Sequence, residues 1–371
     1  MKKIVVLGGS YLQSLFIKNA LSSCEVFVLD GNLFCYANIN KLGKFIHIDF
    51  SNQLSVKNFC IENNIESIIA PVNELGNIIA SNLSEELGFL YNSPITVQKT
   101  SDKSFYNEIL SKSNLLKLES YDSINFDKIK FPVIVKPTQS TSSKGVSLVS
   151  RKDELIQAID IAKKNSKNKN YKIEQFIEGR QFSIETITTN NKHEIVAVIE
   201  EHLNDSPYFF ERTDFFDIEK QKIYKELFNN YIDCLLNHFN IIVGPCHIEV
   251  KVNDSGIFLI DIASRSGGWR DIMLHYAGIN YNQLILNAYL GNKLDSITKY
   301  SGVSVGAGIM VYEKDKNKLI EAEKSIFFKE KYILGNSIKE QPKTLADAYG
   351  YYFVAGVSRY ELSQILPITV N

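Results

Sequence analysis

Over its first ~95 residues the chain alternates short β-branched runs with amphipathic stretches, an alternation that few folds accommodate. Strands are expected at Lys3–Leu7, Val26–Asp30, Phe45–Ile48, Ser67–Ala70 and Leu90–Tyr91, with helices between them. That is the pattern of a parallel α/β layer. The turn Gly8-Gly9-Ser10 closes the first strand ahead of a helix, and Asp30 ends the second. Dinucleotide-binding folds use those two places for pyrophosphate and ribose. The full G-x-G-x-x-G is absent here, so a tight strand-to-helix turn is the simpler reading.

A chain of 371 residues is too long for one ordinary core, so two or three packed domains are expected. Hydrophobic residues at 44% and charged residues at 22% describe a soluble globular protein. A net charge of -1, without Lys/Arg clusters interleaved with aromatics, gives no field for nucleic acid. Ile4–Leu7 runs straight into Gly8-Gly9, too short for a signal peptide or a membrane span. Cys24, Cys35, Cys60, Cys234 and Cys246 are scattered and form no C-x-x-C pair, which fits a reducing cytoplasm and no zinc site.

Tyr91-Asn92-Ser93-Pro94 breaks the first pattern, and Thr96–Asn114 then reads as helical. Strands are expected at Val133–Lys136, from Lys144-Gly145 to Val149, at Tyr171–Phe176 and at Phe182–Thr188. Helices are expected at Asp153–Lys164 and Ile223–Phe239. Short strands and turns fill Ser304–Leu366.

The most informative stretch runs from His247 to Arg265, where two alternating strands flank a turn. With Asp254-Ser255-Gly256 as a three-residue loop, Asn253 pairs with Ile257, Lys251 with Leu259, and Glu249 with Asp261. Ile248, Val250, Val252, Phe258, Ile260 and Ile262 then share an apolar face. His247, Glu249, Lys251, Asp261 and Arg265 share the other. Two opposed carboxylates repel unless a cation lies between them, and a hard divalent ion such as magnesium is the simplest one. The alternative is a solvated face neutralised by Lys251 and Arg265.

Two further segments suit a nucleotide. Lys136 ends the apolar run Val133–Lys136 and precedes a loop of small hydroxyl residues reaching Lys144-Gly145, a fixed cation beside backbone and hydroxyl donors. It is not a Walker A loop. Glu174-Gln175-Phe176-Ile177-Glu178-Gly179 places an acid before apolar residues, as a base pocket requires. Each segment alone also reads as an ordinary strand end.

In this order the segments resemble the ATP-grasp superfamily. They are Ser101-Asp102-Lys103, Phe131-Pro132 through Lys136 to Lys144-Gly145, Glu174 to Gly179, His247-Ile248-Glu249, and Asp261 through Arg265 to Gly268. The resemblance lies nearest the branch of carbamoyl-phosphate synthetase, biotin carboxylase, purine-pathway enzymes and amino-acid ligases. It implies an α/β fold (α+β overall). A parallel α/β domain at 1–95 precedes a two-lobed ATP-grasp domain at 96–300, whose lid spans about 115–188; a small β-rich segment follows at 301–371.

The resemblance further implies ATP with Mg2+, or Mn2+ in its place. Lys103 and Lys136 bind the phosphates and Lys144-Gly145 closes over them. Glu174, Phe176 and Ile177 meet the adenine, and Gln181 stands where relatives place a ribose-binding acid. Glu249 and Asp261 match the metal ligands, and Arg265 the arginine that stabilises an acyl-phosphate. Relatives usually have Glu at the position of Asp261 and often Asn at that of Ala263. The implied activity is a carboxylate–amine ligase acting on small molecules, with no nucleic-acid or membrane partner and, by analogy, a homodimer. A purine-biosynthetic or carboxylase-like enzyme activating formate or bicarbonate is the alternative, and a degenerate nucleotide-binding protein a further one. Glu74, after the fourth strand, is a candidate for holding the amine. Gly267, Gly268 and Arg270 are candidates around a substrate carboxylate. His202, Tyr208 and Arg212 occupy a stretch that reads as irregular and near the pocket.

Overall fold

A computed structural model describes residues 1–121, 126–204, 209–294, 303–335, 342–363 and 365–366. Its first layer is a parallel sheet of β1 (Lys2–Leu7), β2 (Cys24–Asp30), β3 (Lys44–His47) and β4 (Ser67–Ile69), in the order β3-β2-β1-β4. Helices α1 (Tyr11–Ala20), α2 (Tyr36–Ile39), α3 (Gln53–Glu62) and α4 (Glu74–Leu87) alternate with the strands. Ile4, Val5, Val6 and Leu7 are fully buried on both sides of the sheet, as a parallel layer covered by helices requires. Leu90–Tyr91, expected as a fifth strand, is irregular. Tyr91 instead stacks on Tyr289 with ring centroids 4.8 Å apart, and its hydroxyl donates to Asn77 Oδ1 at 2.7 Å. Satisfying that hydroxyl inside the core takes the place of strand pairing.

The helix expected over Thr96–Asn114 is broken. α5 (Pro94–Ser101) stops at Asp102, whose extended backbone is followed by a 3-10 turn at Lys103–Phe105 and by α6 (Tyr106–Ser111). The Asp102 carboxylate accepts from Ser104 N at 2.9 Å, restarting the turn. The break puts Lys103 into the cavity described below.

A small antiparallel sheet of β5 (Ser120–Tyr121), β6 (Val133–Pro137), β7 (Ser147–Val149) and β8 (Tyr171–Gln175) has the order β5-β8-β6-β7. α7 (Leu155–Asn165) buries Leu155, Ala158, Ile159 and Ala162 against it. The apolar positions at helical spacing carry that packing.

The largest unit is an eight-stranded antiparallel sheet ordered β13-β12-β9-β10-β11-β14-β16-β15. Its strands are β9 (Arg180–Thr189), β10 (Lys192–Leu203), β11 (Glu211–Asp217), β12 (Gly244–Asn253), β13 (Gly256–Ala263), β14 (Val305–Val311), β15 (Phe328–Ile333) and β16 (Gly350–Gly356). α8 (Gln221–His238) covers one face with Phe228, Ile232, Leu235 and Leu236. α9 (Trp269–Tyr276) and α10 (Tyr281–Tyr289) pack between the sheet and α1, so one apolar core runs from β1 to Phe353. α11 (Lys316–Ala322) and α12 (Arg359–Ser363) pack beside β14 and β16. The strands beyond residue 303 therefore extend the central sheet: Asp214 pairs with Gly308 and Ala307 with Val354. Among the described residues no helix is long and apolar enough to cross a membrane.

Candidate active site

Glu249 and Asp261 are register partners across β12 and β13, as the sequence led one to expect, but by another route. The turn is shorter than the three residues expected, since Asn253 pairs with Gly256. That slip alone would throw the acids out of register. A bulge opposite the step from Glu249 to Val250 absorbs the extra residue, Ile260, and restores the pairing. It also exchanges side chains between faces. Leu259 joins Ile248, Val250 and Ile262 in the core under α8, while Phe258 and Ile260 pack with Leu118 and Ile177. Ile260 thereby lines the cavity that the earlier register turned it away from.

That cavity, of about 550 Å³, is bounded by the small sheet, the hairpin and the first turn of α4. Asp261 accepts from Lys103 Nζ at 2.8 Å and from the Tyr106 hydroxyl at 2.7 Å. Beside it, His247 lies 2.7 Å from Glu185 through Nδ1 and 3.3 Å from Glu249 through Nε2. Burial alone would lower the His247 pKa. The Glu185 charge and hydrogen bonds to Glu185 and Glu249 outweigh it and raise it to about 10, so the ring is an imidazolium donating on both sides. Glu249 mirrors it: burial pushes its carboxyl up, but His247, Arg270 and Lys103 hold it down to about 2. A buried carboxylate kept ionised opposite a second one is a donor set that fits a hard divalent cation. Glu249 also belongs to a group with Glu201 and Glu211, whose ligand atoms lie within 4.8 Å of one another. Arg270 contacts two of that group, Glu201 and Glu211.

Lys136 at the end of β6 is 6% exposed and lies 2.6 Å from Glu174 on β8. Lys172 contacts the other Glu174 oxygen. Glu174, expected to offer an acceptor to a base, lines the cavity as the ion-pair partner of both lysines. Burial favours its neutral form, but the charges of Lys136 and Lys172 keep it ionised as their counter-ion. Phe176 and Ile177 do line the cavity, where Phe176 stacks on Phe209 at 5.7 Å. Lys251 Nζ donates to the Ile177 carbonyl at 3.0 Å and sits 5.1 Å over the Phe176 ring. Gln181 reaches the cavity and donates to Glu201 at 2.6 Å. Lys144 lines the cavity; Gly145 does not. Gly145 is buried with φ +80°, and a Cβ there would lie 2.7 Å from Asn165 Cβ. Its role is to let the hydroxyl-rich loop turn against α7.

Arg265 donates through Nε to Glu74 Oε2 at 2.7 Å and through Nη1 to the Ser266 carbonyl at 2.8 Å. The other Glu74 oxygen accepts from the Ser101 hydroxyl. Both Glu74 oxygens thus have partners within the protein, and the acid orients Arg265; it also lines the cavity, where it was expected to hold the amine. Gly267 and Gly268 line the cavity, and Gly268, at φ +78°, begins α9 where a Cβ would lie 2.9 Å from Val72. Arg270 departs furthest from expectation. Only 3% exposed, it contacts Glu201 and Glu211 at 2.6 Å each and Asp214 at 2.7 Å. A guanidinium held by three carboxylates through Nε and Nη2 is a strut in the cavity wall, and Arg270 also lines the cavity where it was expected to meet a substrate carboxylate.

His202 and Arg212 stand on β10 and β11, not in an irregular segment, and neither lines the cavity. Arg212 pairs with Asp315 at 2.8 Å; Tyr208 lies outside the described residues. A register shift between His202 and Leu203 turns their neighbours inward instead, so Leu203, Phe209 and Glu211 form the wall. The sequence reading missed these, along with Leu12, Val72 and Trp269. Trp269 directly follows Gly267-Gly268, the one signal that could have found it.

The chain is similar to known proteins in a segment of its sequence and in its fold. Residues 129–272 match the ATP-grasp domain family. A formate-dependent phosphoribosylglycinamide formyltransferase of Prochlorococcus marinus (strain MIT 9312) is 25% identical over 311 residues, spanning 78% of this chain and 76% of that protein. The crystal structure of an L-amino acid ligase from Bacillus licheniformis superposes with a TM-score of 0.81 at 16% identity, covering 100% of this chain and 99% of that one. N5-carboxyaminoimidazole synthetase from Staphylococcus aureus, complexed with ADP, gives 0.73 at 16% identity over 98% and 95%. Residues 129–272 thus carry an ATP-grasp domain. Over its length the chain shares the fold of these solved structures.

Proposed function

We propose that the protein is an ATP-dependent carboxylate–amine ligase that forms an amide through an acyl-phosphate. The observation that carries this reading is the convergence of Lys103, Lys136, Glu249, Asp261 and Arg265 on one cavity, with Arg265 fixed by Glu74. ATP enters with its base against Phe176 and Ile177 and its phosphates toward Lys103, Lys136 and Lys144, with Gln181 near the ribose. Glu249 and Asp261 would hold Mg2+, or Mn2+ in its place, which when bound supplies positive charge to the phosphate oxygens.

The substrate carboxylate attacks the γ-phosphorus, ADP leaves, and an amine then displaces phosphate from the acyl carbon. Arg265 faces the charge that develops at each step, and its orientation is set before reaction by Glu74. The phosphate lysines are likewise fixed: Glu174 holds Lys136 and Asp261 holds Lys103. Preorganised charge of this kind needs no rearrangement at the moment of transfer.

The N-terminal turn bears on the choice of amine. Gly8 N donates to Leu29 O at 2.8 Å, Gly9 N to Asp30 Oδ2 at 2.8 Å and Ser10 N to Gln13 Oε1 at 2.9 Å. Those three turn donors are consumed within the protein, and Asp30 repels an anion there. This favours an unphosphorylated amine, such as an amino acid, over a phosphoribosyl amine. Soluble enzymes of this kind act in the cytoplasm, and a homodimer is the expected assembly.

The test incubates the protein with Mg2+, ATP and pooled amino acids, and separately with formate or bicarbonate, reading phosphate release and product mass. Release dependent on amino acids, with a product lighter by one water than its two substrates, is expected. Release that follows formate or bicarbonate instead would overturn the ligase assignment in favour of the purine or carboxylase reading.

A further inference from the structure

One stretch of chain forms much of the cavity wall, and its character changes in order along the sequence. Ile260, Asp261, Arg265, Gly267, Gly268 and Trp269 all line the cavity. Ile260 packs with Leu118 and Ile177, at the apolar end proposed above for the base. Asp261 and Arg265 belong to the charged middle, paired with Lys103 and Glu74. Past Gly267-Gly268 the lining turns apolar again at Trp269. The cavity therefore has two apolar ends, set in different cores, and the charged residues come between them in chain order.

The second apolar end is assembled from distant parts of the sequence. Leu12 comes from the first turn of α1, Val72 from the link between β4 and α4, and Leu345 from a 3-10 turn ahead of β16. A Cβ on Gly268 would lie 2.9 Å from Val72 Cγ1 and 3.6 Å from Leu12 Cδ1, so both side chains reach bare backbone at that corner. Leu12 and Leu345 pack against the core that contains Trp269 and still line the cavity. Leu12, Val72 and Leu345 present only carbon, and the three turn donors ahead of Leu12 are engaged within the protein. A charged group placed there would lose its water without gaining a partner. An apolar group gains by burial.

Resting on the ligase reading above, we infer that this end is the side-chain subsite for one of two amino-acid substrates, and that this substrate carries a sizeable apolar side chain such as that of leucine, methionine or phenylalanine. Its backbone atoms lie at Arg265, where the acyl-phosphate forms. Its side chain extends past Gly267-Gly268 to rest among Leu12, Val72, Trp269 and Leu345. Base and side chain thus occupy opposite apolar ends, and the chemistry takes place in the charged middle.

The test gives the protein ATP, Mg2+ and amino acids in pairs, and reads phosphate release and product mass. Every productive pair is expected to include an apolar member, with kcat/KM for leucine at least about 100 times that for aspartate or lysine. Leu12→Ala and Leu345→Ala, both at half-buried positions, are each expected to raise the KM for leucine about tenfold and to keep ADP affinity within a factor of about two. Melting curves and ADP titrations show that each variant is folded. Pairs of polar amino acids ligated as fast as pairs containing leucine would overturn the inference. So would an unchanged leucine KM in the folded variants. If no pair of amino acids releases phosphate, the ligase reading itself falls, a distinguishable result.

Discussion

Glu74 Oε2 and Arg265 Nε meet at 2.7 Å although 191 positions separate them, and both side chains are only 15% exposed. The contact joins the first turn of α4, in the parallel layer, to Arg265, two residues past the end of β13. Arg265, which follows a strand of the large sheet, is therefore aimed by a helix of the parallel layer. Burial pushes the Glu74 carboxyl up, but the charge of Arg265 and hydrogen bonds from Ser101 and Arg265 hold it below its ordinary value.

If the pair serves to aim Arg265, Glu74→Gln should lower kcat by about 10- to 100-fold and leave ADP affinity within a factor of about two. Steady-state rates and calorimetric ADP titrations separate the two effects. An unchanged kcat would show that Arg265 needs no such orientation.

Lys136→Ala, Glu249→Ala and Arg265→Ala should each reduce substrate-dependent ADP formation by a factor of about 100 or more. Lys136→Ala also leaves Glu174 with Lys172 as its remaining cation, so a lower melting temperature is expected in that variant. Circular dichroism and coupled ADP assays provide the check. Full activity in all three would refute the proposed chemistry.

Chelation of divalent ions should stop ADP formation, and Mg2+ or Mn2+ should restore it. In Glu249→Ala the concentration of Mg2+ giving half-maximal rate should rise at least about tenfold, measured on any residual activity. Activity that survives chelation would remove Glu249 and Asp261 from a metal-binding role.

At the far face of the central sheet, Arg359 on α12 grips Glu200 with contacts of 3.0 and 2.7 Å. Burial pushes the Glu200 carboxyl up, but hydrogen bonds from Arg359 and Tyr224 and the Arg359 charge hold it down to about 2. A folded-state pKa below the unfolded one gives stabilisation that is complete above about 4.5 and lost as the pH falls through about 2. Arg359→Gln should cost about 3 kcal/mol at pH 7 and much less near pH 2. Melting curves at several pH values read this directly; an equal loss at both ends would exclude the linkage.

Much of this architecture is written in local pattern. The period-two alternation of β12 and β13 and the apolar runs of β1, β2, β6 and β9 identify those strands, because one buried face imposes the pattern. The facing of Glu249 and Asp261 was also legible, although the turn was misjudged. The bulge at Ile260 compensated a shortened loop, and nothing in an apolar residue announces a bulge. Arg270 shows the opposite limit. Its place beside Gly267-Gly268 suits a substrate contact, yet its partners Glu201, Glu211 and Asp214 lie some 60 residues earlier, on strands whose register shift hides which side chains turn inward. Glu74 is the same case: its nearness to a strand end was visible, its partner was not. Local sequence reports periodicity; the pairing of charges across the chain is settled only by topology.

The strands after residue 303 look like an appendix in the sequence, yet β14 flanks β11, the strand that carries Glu211 and Asp214. Severing the chain there would turn β11 into a raw sheet margin. The acids that clasp Arg270 would then hang from an unsupported ribbon, and the rear of the nucleotide cavity would slacken with it. The tail is thus a buttress for a site it never touches with its own β-strands, and inherited damage or proteolytic nicking in it should be felt first as loosened substrate selection.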